Sequence, residues 1–323
     1  MRTTEMGPVL VATEADDVTA DMVISELNRR GVPVVRFNPA DIGDGLTVSA
    51  RYGGRPTPMV GRLLTPSRDA YLEHVRAVYW RRPTWPTFPD LSPDDARFAA
   101  AQTRYGLGGI LHALDRPLWV NHPLRNAEAD YKPHQLALAH RLRLAIPQTL
   151  ITNDPNEARA FVAAHPAVIH KSLRSTSYQR DGVPVVSWAE QVTADEIDDR
   201  VRVVPHLFQE RVEKAHDVRV LIVGHQVFAV RIESDLLDWR RDYSALTYSV
   251  ISLPTPLETA LCAFLDAFDL VSGSFDLAVD RAGTYWFLEL NPNGQWGWLE
   301  ENTGLPMAAA FADLLTQGGS TRD

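Results

Sequence analysis

The sequence predicts an α/β protein (α+β in its overall layout), and three observations lead to this prediction. The chain has 323 residues, and at about 150 residues per domain this suggests two domains or one elaborate one. A strand–helix–strand pattern opens the chain, which is typical of a parallel sheet. The last third is mostly strand, with one long helix at 257–269.

The opening unit is well marked by its local signals. Residues 8–13 form a short apolar run that predicts a buried strand. Asp16 and Asp17 then offer N-caps to a helix that Gly31 ends, and 32–37 predicts the second strand. The turn carries no G-x-G-x-x-G pattern, so the sequence does not support a dinucleotide site there.

The rest of the chain alternates helices and strands, after a segment at 53–95 that is rich in proline and arginine. Tight turns are predicted at Asp181–Gly182 and Gly224–His225, and a polar, acidic helical region at 193–199. Further predicted helices lie at 90–114, 133–144 and 156–164. Further predicted strands lie at 148–152, 167–171, 184–188, 207–212, 217–223, 226–232, 273–279 and 285–291.

Composition excludes several classes of protein. The net charge of −9 argues against wholesale electrostatic binding to nucleic acid. Cys262 is the only cysteine and lies in an apolar helical stretch, so no disulfide framework exists. No signal peptide or membrane-spanning run is visible in the sequence. We therefore expect a soluble cytoplasmic protein with no membrane or nucleic-acid partner.

The basic residues are strongly skewed towards arginine, since only three of the 32 are lysine. A GC-rich genome accounts for the skew, but each remaining lysine marks a place where a flexible point charge is retained. Lys132 precedes a predicted helix and Lys171 ends an apolar strand, where it either clamps a phosphate or reaches to the surface. Lys214 lies just after a predicted strand and has no such position, so Lys214→Arg is expected to have only a mild effect on the use of ATP.

The final strand pair carries a group of oxygen ligands. Asp276 lies on one strand, and Glu289 and Asn291 lie on the other, two residues apart and therefore on one face. Carboxylate and amide oxygens suit Mg²⁺. The alternative is a solvated edge, but the apolar neighbours of Glu289 make this strand look buried, and a buried carboxylate needs a cation or hydrogen bonds.

The order of these features resembles the ATP-grasp superfamily. The chain carries, in this order and far apart, two lysines, the pair Gln209–Glu210 and the pattern Asp…Glu-x-Asn. In addition, Asp217-Val218-Arg219 is similar to the Asp-x-Arg strand of that superfamily. The resemblance implies an N-terminal α/β domain at 1–118, a central subdomain with a lid hairpin at 119–203, and a C-terminal subdomain at 204–323. ATP would lie between the last two.

The same resemblance implies roles for individual residues. Lys132, Lys171, Gln209, Glu210 and Val212 would bind ATP, with the backbone around Glu210 and Val212 meeting the adenine. Two Mg²⁺ ions would be held by Asp276, Glu289 and Asn291. Arg240 would contact the transferred phosphate, or else only pair with Asp238 or Asp242. Arg219 would serve the phosphates or an acidic substrate, or form a strand-face ion pair.

A narrower resemblance is carried by Asn291-Pro-Asn-Gly-Gln-Trp296, Asp238-Trp-Arg240 and Tyr79-Trp-Arg-Arg82. These motifs look like those of the microviridin-type maturases, the graspetide synthetases. That family joins Asp and Glu side chains of a ribosomal precursor peptide to hydroxyl or amine side chains, as ω-esters or ω-amides. It implies ATP, Mg²⁺, a precursor peptide as partner and a homodimer.

Two other functions stay open from the sequence. One is an ATP-grasp ligase that acts on a small metabolite or adds amino acids to a protein terminus. The other is a catalytically silent peptide-binding member. Three tryptophans raise a similar choice, since Trp239, Trp296 and Trp298 either line a peptide groove or pack in the core. The patch Arg81–Arg82 and the stretch 190–200 are either solvated surface or contacts for a peptide.

Overall fold

The computed structural model describes residues 6–54, 58–174, 178–180, 183–185 and 188–318. The chain forms two compact units. The first contains the described residues of 1–123 and 295–323, and the second contains those of 124–294. The three-domain division implied by the resemblance stays a prediction. In the part of the chain described here, no helix is both long and apolar enough to cross a membrane.

A parallel sheet forms the centre of the first unit and confirms the predicted opening. Its order is β2-β1-β6-β7. Helix α1 (Val18–Arg29) connects the first two strands, and Asp17 caps it by accepting a hydrogen bond from the amide of Ala20 at 3.2 Å. Gly31 follows with a φ of +71°, a conformation that ends helices. The strands are β1 (Val9–Thr13), β2 (Val34–Phe37), β6 (Ala77–Arg82) and β7 (Leu118–Val120).

Around this sheet the first unit adds an antiparallel sheet and three helices. The small sheet has the order β3-β4-β5, and its second and third strands lie in the segment that is rich in proline and arginine. Helices α1 and α8 pack against each other. The elements are β3 (Thr47–Tyr52), β4 (Met59–Leu64), β5 (Asp69–Tyr71), α2 (Pro93–His112), α7 (Gly297–Thr303) and α8 (Met307–Gln317).

The second unit begins with helices and a four-stranded antiparallel sheet of order β12-β9-β13-β8. Strands β10 and β11 pair antiparallel, and the turn predicted at Asp181–Gly182 lies outside the described residues. The acidic region at 193–199 forms short 3₁₀ turns instead of a helix, although Thr193 and Glu196 form the capping box that is typical of a helix start. The elements are α3 (Pro123–Ala129), α4 (Lys132–Arg141), β8 (Thr149–Thr152), α5 (Pro155–Ala164), β9 (Val168–Lys171), β10 (Tyr178–Arg180), β11 (Val183–Val185), β12 (Glu190–Val192) and β13 (His206–Glu210).

A five-stranded antiparallel sheet of order β16-β15-β14-β17-β18 completes the second unit. One face packs on helix α6, where Phe264 lies 5.6 Å from Phe275 and 5.1 Å from Phe287 between ring centres. The predicted turn at Gly224 is confirmed, with a φ of +58°. The elements are β14 (Lys214–Val223), β15 (Gln226–Glu233), β16 (Thr247–Ile251), α6 (Thr255–Ala267), β17 (Ser272–Asp280) and β18 (Tyr285–Asn291).

An irregularity in strand pairing decides which side chains of β18 face the core. Asp276 pairs with Glu289, whereas the next residue, Leu277, pairs with Phe287, so β18 contains one extra residue at this point. Phe287 therefore shares the core face with Leu277. Glu289 shares the opposite face with Asp276, although it lies only two residues after Phe287.

Candidate active site

Three charged side chains form a row across the five-stranded sheet, on the face away from α6. Arg219 of β14 pairs in register with Asp276 of β17, which pairs in register with Glu289 of β18. Residues in register on neighbouring strands lie side by side. The row therefore brings together an arginine and two carboxylates that are far apart in sequence.

Arg219 and Asp276 form a buried ion pair. The Nη1 atom of Arg219 donates to Oδ1 of Asp276 at 2.7 Å and to Oδ2 at 2.6 Å. Burial raises the pKa of Asp276; the Arg219 charge opposes the rise and nearby Glu289 adds to it. Of the two roles that the sequence left open for Arg219, the ion pair is present in the structure, and its partner is a predicted metal ligand.

Glu289 lies among three cations. Nζ of Lys132 donates to Oε2 of Glu289, and Nη1 of Arg240 lies 3.7 Å from Oε1. Burial alone would raise the pKa of Glu289, but the charges of Lys132, Lys171 and Arg240 outweigh it and hold the pKa well below its usual range. The side chain is therefore a carboxylate at any physiological pH.

Lys171 ends β9 and reaches this cluster from the four-stranded sheet. Burial lowers its pKa to about 8; Glu289 opposes this decrease, and Lys132 and Arg240 add to it. A lysine at this pKa is still mostly protonated at neutral pH. The sequence left open whether Lys171 clamps a phosphate or reaches to the surface. Because the charges of Glu289 and Lys132 act on its pKa, the Lys171 side chain lies near this cluster.

Arg240 is held by Asp238, which is itself 5% exposed. Nε of Arg240 donates to Oδ1 and Nη2 to Oδ2, both at 2.8 Å, while Oδ1 also accepts the Arg240 amide at 3.2 Å. Asp242 instead caps a short turn through Ser244. The guanidinium of Arg240 therefore pairs with Asp238 and also approaches Glu289. The first contact fits the structural ion pair that the sequence left open, and the second fits a position among the phosphate-binding residues.

The charges of this cluster suit a polyanion together with a metal ion. Cations outnumber carboxylates here, so the site attracts anions such as phosphates. Within the described residues, no group of three or more His, Cys, Asp and Glu side chains is placed to hold a metal alone. Two carboxylates and an amide fit Mg²⁺, which keeps waters and shares phosphate oxygens. The cations are Lys132, Lys171, Arg219 and Arg240, and the carboxylates are Asp238, Asp276 and Glu289.

Asn291 and the residues after it border the same face. Asn291 pairs in register with Ser274, one strand position beyond the Asp276–Glu289 pair on that face. Its carbonyl accepts the amide of Gly294 at 3.1 Å, which closes the turn after β18. A Cβ atom on Gly294 would lie 2.5 Å from Nη2 of Arg219 and 2.6 Å from Cβ of Ser274. Only glycine allows this turn to pack on Arg219.

The three predicted adenine contacts belong to the end of β13 and the hinge after it. Nε2 of Gln209 donates to Oγ1 of Thr149 at 2.8 Å, and the amide of Glu210 donates to the carbonyl of Gln148 at 2.8 Å. The carbonyl of Val212 accepts the amide of Lys214 at 2.8 Å. These three hydrogen bonds lie within the sheet and the hinge and do not test the contact with adenine, so that role stays a prediction.

Sequence reasoning missed two supporting contacts. Lys214 donates to Oδ2 of Asp217 at 2.5 Å, although the sequence assigned it no role. Gly294 had no signal beyond its place in the Asn-Pro-Asn-Gly motif. The spacing of Lys214 and Asp217 does not predict this contact. Side chains alternate between the two faces of a strand, so two residues that are three positions apart should lie on opposite faces. An irregularity in the β14–β17 register between Lys214 and His216 removes that obstacle.

Two of the three tryptophans, and one arginine of the patch Arg81–Arg82, are buried in the structure. Trp239 is buried, and Trp296 is buried and stacks on Phe311 with ring centres 5.1 Å apart. Arg81 is also buried, near Asp17 and with Gln295 as a hydrogen-bond partner, whereas Arg82 is exposed. Core packing therefore accounts for these two tryptophans, and Arg81 is not part of a solvated patch.

Similarity to known proteins is found by comparing structures and not by comparing sequences. A scan against models of protein families finds no match, and neither does a search of the curated proteins. Solved structures do match. A RiPP-associated ATP-grasp ligase of Chryseobacterium gregarium, in complex with ADP and a leader and core peptide, has a TM-score of 0.87 and is 26% identical; the match covers 98% of this chain and 100% of that chain. A RiPP is a ribosomally made peptide that is modified after its synthesis.

Two macrocyclases of Microcystis aeruginosa match almost as well. MdnC, bound with its precursor peptide MdnA, has a TM-score of 0.86 and is 25% identical, with 96% of this chain and 100% of that chain covered. MdnB has a TM-score of 0.82 and is 27% identical, with 97% of this chain and 100% of that chain covered. Because these matches cover nearly the whole chain, and therefore both units, the chain has the fold of the ATP-grasp ligases that act in the maturation of ribosomal peptides.

Proposed function

We propose that this enzyme uses ATP to phosphorylate Asp or Glu side-chain carboxylates of a ribosomal precursor peptide and joins them to Ser or Thr hydroxyls or Lys amines. The observation that carries the proposal is the cluster of Lys132, Lys171 and Arg240 around Glu289, beside Asp276. Its excess of positive charge suits a triphosphate with its metal ion. The similarity to maturases crystallised with ADP and with precursor peptides supports the choice of substrate.

The chemistry balances in two steps. A carboxylate oxygen of the peptide attacks the γ-phosphorus of ATP, and ADP leaves, which gives an acyl phosphate. A hydroxyl or amine of the same peptide then attacks the acyl carbon and loses a proton, while phosphate leaves. The net change in the peptide is the loss of one water for each ester or amide bond formed.

The residues of the cluster have separate tasks in these steps. Lys132 and Lys171 bind the phosphates, and Arg240 contacts the phosphoryl group that is transferred. Arg219 orients Asp276 through its ion pair and adds positive charge for phosphate or for the acidic side chain of the peptide. Such a site works mainly by positioning the reactants and neutralising charge.

Nucleotide and metal complete the proposal. The backbone around Glu210 and Val212 would meet the adenine, next to Gln209. Asp276, Glu289 and Asn291 would hold Mg²⁺, which neutralises charge on the phosphates. ATP would then lie between the four-stranded and the five-stranded sheets of the second unit, as the division at residues 119–203 and 204–323 implies. The homodimer stays a prediction from the resemblance.

Mass spectrometry of a peptide product tests this function. The substrate is a precursor with a Ser/Thr-rich and Asp/Glu-rich core, encoded beside the gene, incubated with enzyme, ATP and Mg²⁺. We expect its mass to fall by one water per bond. A gain of a residue mass would instead support the alternative ligase, which adds amino acids to a peptide. An unchanged mass without ATP turnover would support a silent peptide-binding protein.

Gly294→Ala tests the turn that packs on Arg219. The new Cβ would displace the Arg219 guanidinium from Asp276, and Ser274 leaves no other room. We expect the initial rate of peptide condensation to fall by about tenfold or more, since small displacements in such sites are costly. Gly106→Ala is the matched control, because its Cβ meets nothing within 4 Å on an exposed position of α2, and its rate should equal that of the wild type. Equal rates in both variants would contradict the packing argument.

A further inference from the structure

Lys214 makes three contacts that join separate parts of the second unit. Its Nζ atom donates to Oδ2 of Asp217 at 2.5 Å and to the carbonyl of Leu237 at 3.1 Å. Its amide donates to the carbonyl of Val212 at 2.8 Å. The side chain of Lys214 is only 15% exposed and that of Asp217 only 5%. One residue thus connects the hinge, strand β14 and the segment that follows β15.

The segment reached through Leu237 carries the Asp238–Arg240 pair. Asp238 follows Leu237 directly and caps a 3₁₀ turn, Trp239–Arg241, by accepting the amide of Arg240 through its side chain at 3.2 Å. The carbonyl of Asp238 also accepts the amide of Arg241 at 3.2 Å. Fixing the backbone at Leu237 therefore fixes the start of the turn from which Arg240 reaches towards Glu289.

We infer that Lys214 is a positioning residue, which anchors the segment 234–238 to β14 and thereby sets the place of Arg240 in the active site. This inference rests on the proposed function for its catalytic consequence only. The anchor itself is a structural relation between Lys214 and Leu237, and it can be measured without any substrate.

The chemistry of lysine explains why this position keeps one in a chain so poor in lysine. An ammonium group carries three donors on one atom, so it can serve a carboxylate and a carbonyl that lie in different directions. A guanidinium spreads its donors over one plane at the end of a longer side chain, so it cannot place them where a single ammonium nitrogen lies. Lys214→Arg should therefore keep the pairing with Asp217 and lose the bond to Leu237, and the sequence-based expectation of a mild effect is replaced by an intermediate one.

A competing role for Lys214 is direct attraction of an anionic ligand. Lys214 lines a polar cavity of about 620 Å³, which lies between the hinge and the segment 234–237. Arg281 lines the same cavity and is exposed. If Lys214 acts only by its charge in this cavity, Arg281→Met and Lys214→Met should have similar effects. If it acts as an anchor, only Lys214→Met should change the segment.

Hydrogen exchange of the free enzyme tests the anchor. We expect Lys214→Met to raise amide exchange in 236–242 by about tenfold or more, as a lost local contact lowers the free energy of opening. Lys214→Arg should be intermediate, and Arg281→Met should match the wild type. Because Lys214→Met leaves Asp217 buried without a cation, the double variant Lys214→Met/Asp217→Asn provides a folded form in which the anchor is still missing. Unchanged exchange in that double variant would overturn the inference.

Steady-state kinetics test the catalytic consequence. We expect Lys214→Met/Asp217→Asn to lower kcat by about 10- to 100-fold, as is typical when a distant change misplaces a catalytic group, while the KM for the peptide stays within about twofold. Faster exchange with an unchanged kcat would overturn the link to Arg240. A wild-type enzyme that never condenses the peptide would contradict the proposed function, and the exchange result would still stand or fall by itself.

Discussion

Replacing Glu289 with glutamine is expected to stop peptide condensation and leave a folded protein. Glutamine keeps the shape of the side chain and removes its charge, so Lys132 and Arg240 lose their shared counter-charge and the proposed Mg²⁺ site loses a carboxylate. If Glu289 holds the metal and orders two phosphate-binding cations as proposed, its loss should lower the rate by about a thousandfold or more. The rate is measured from the mass change of the peptide, and folding is measured by thermal unfolding.

Glu26→Gln is the matched control for this variant. Glu26 also accepts hydrogen bonds from two cations, Arg29 and Arg30, but it lies on α1 in the first unit. The same chemical change there should leave condensation unaltered. If Glu289→Gln fails to fold, Glu289 is mainly a structural counter-ion for the buried cations. If Glu289→Gln condenses the peptide at the wild-type rate, the proposed metal site is wrong.

Local signals made much of the fold predictable. Asp17 marks the start of α1, and Gly31 marks its end, because capping and left-handed backbone depend on residues within one turn. The buried strands β17 and β18 are evident from their apolar runs. The small sheet β3–β5 was not predicted, although β3 alternates polar and apolar residues, because its strands are short and the proline- and arginine-rich segment around them was not divided into elements.

Long-range relations explain what the sequence could not provide. The sequence places residues 295–318 after the last strands, but in the structure they cluster with the described residues of 1–123, because α8 packs on α1. The pairing of Arg219 with Asp276 depends on the register of β14 and β17, which no local pattern sets. The extra residue in β18 likewise turns Phe287 and Glu289 to opposite faces, against simple alternation.

In the candidate site, too, residue types could be predicted from the sequence, but pairings between distant residues could not. The residue types and their order were sufficient to nominate Lys132, Lys171, Asp276 and Glu289, and the structure brings these four together. Their partners were harder to foresee. The sequence left open whether Arg240 pairs with Asp238 or Asp242, because both are two residues away, and only the turn at Asp238 decides between them.

Lys171→Met is expected to weaken binding of a non-hydrolysable ATP analogue by roughly 30-fold, which is about 2 kcal/mol, as for removal of one member of a desolvated charge pair. Lys171→Arg should also bind more weakly, because a planar fork replaces a compact charge in a partly buried position. Isothermal titration calorimetry in the presence of Mg²⁺ measures these affinities. Arg281→Met, a lost cation on an exposed turn, should bind like the wild type.

The pH dependence of this binding distinguishes a charge on Lys171 from simple packing. Burial lowers the pKa of Lys171 to about 8 in the free enzyme, so the side chain loses its proton as the pH rises through that value. A bound triphosphate favours the protonated form and raises the pKa again. The affinity of the wild type should therefore fall above pH 8, by about tenfold per pH unit at the limit, with uptake of a proton on binding.

Variants that cannot titrate at this position should lose that dependence. Lys171→Arg keeps its charge over the whole range, and Lys171→Met never carries one, so both should bind with a nearly constant affinity between about pH 7.5 and 9, well away from the pKa values of arginine and of the carboxylates. Titration of the nucleotide itself is common to all three proteins and cancels in the comparison. The same slope in wild type and Lys171→Met would show that the Lys171 ammonium does not bind phosphate.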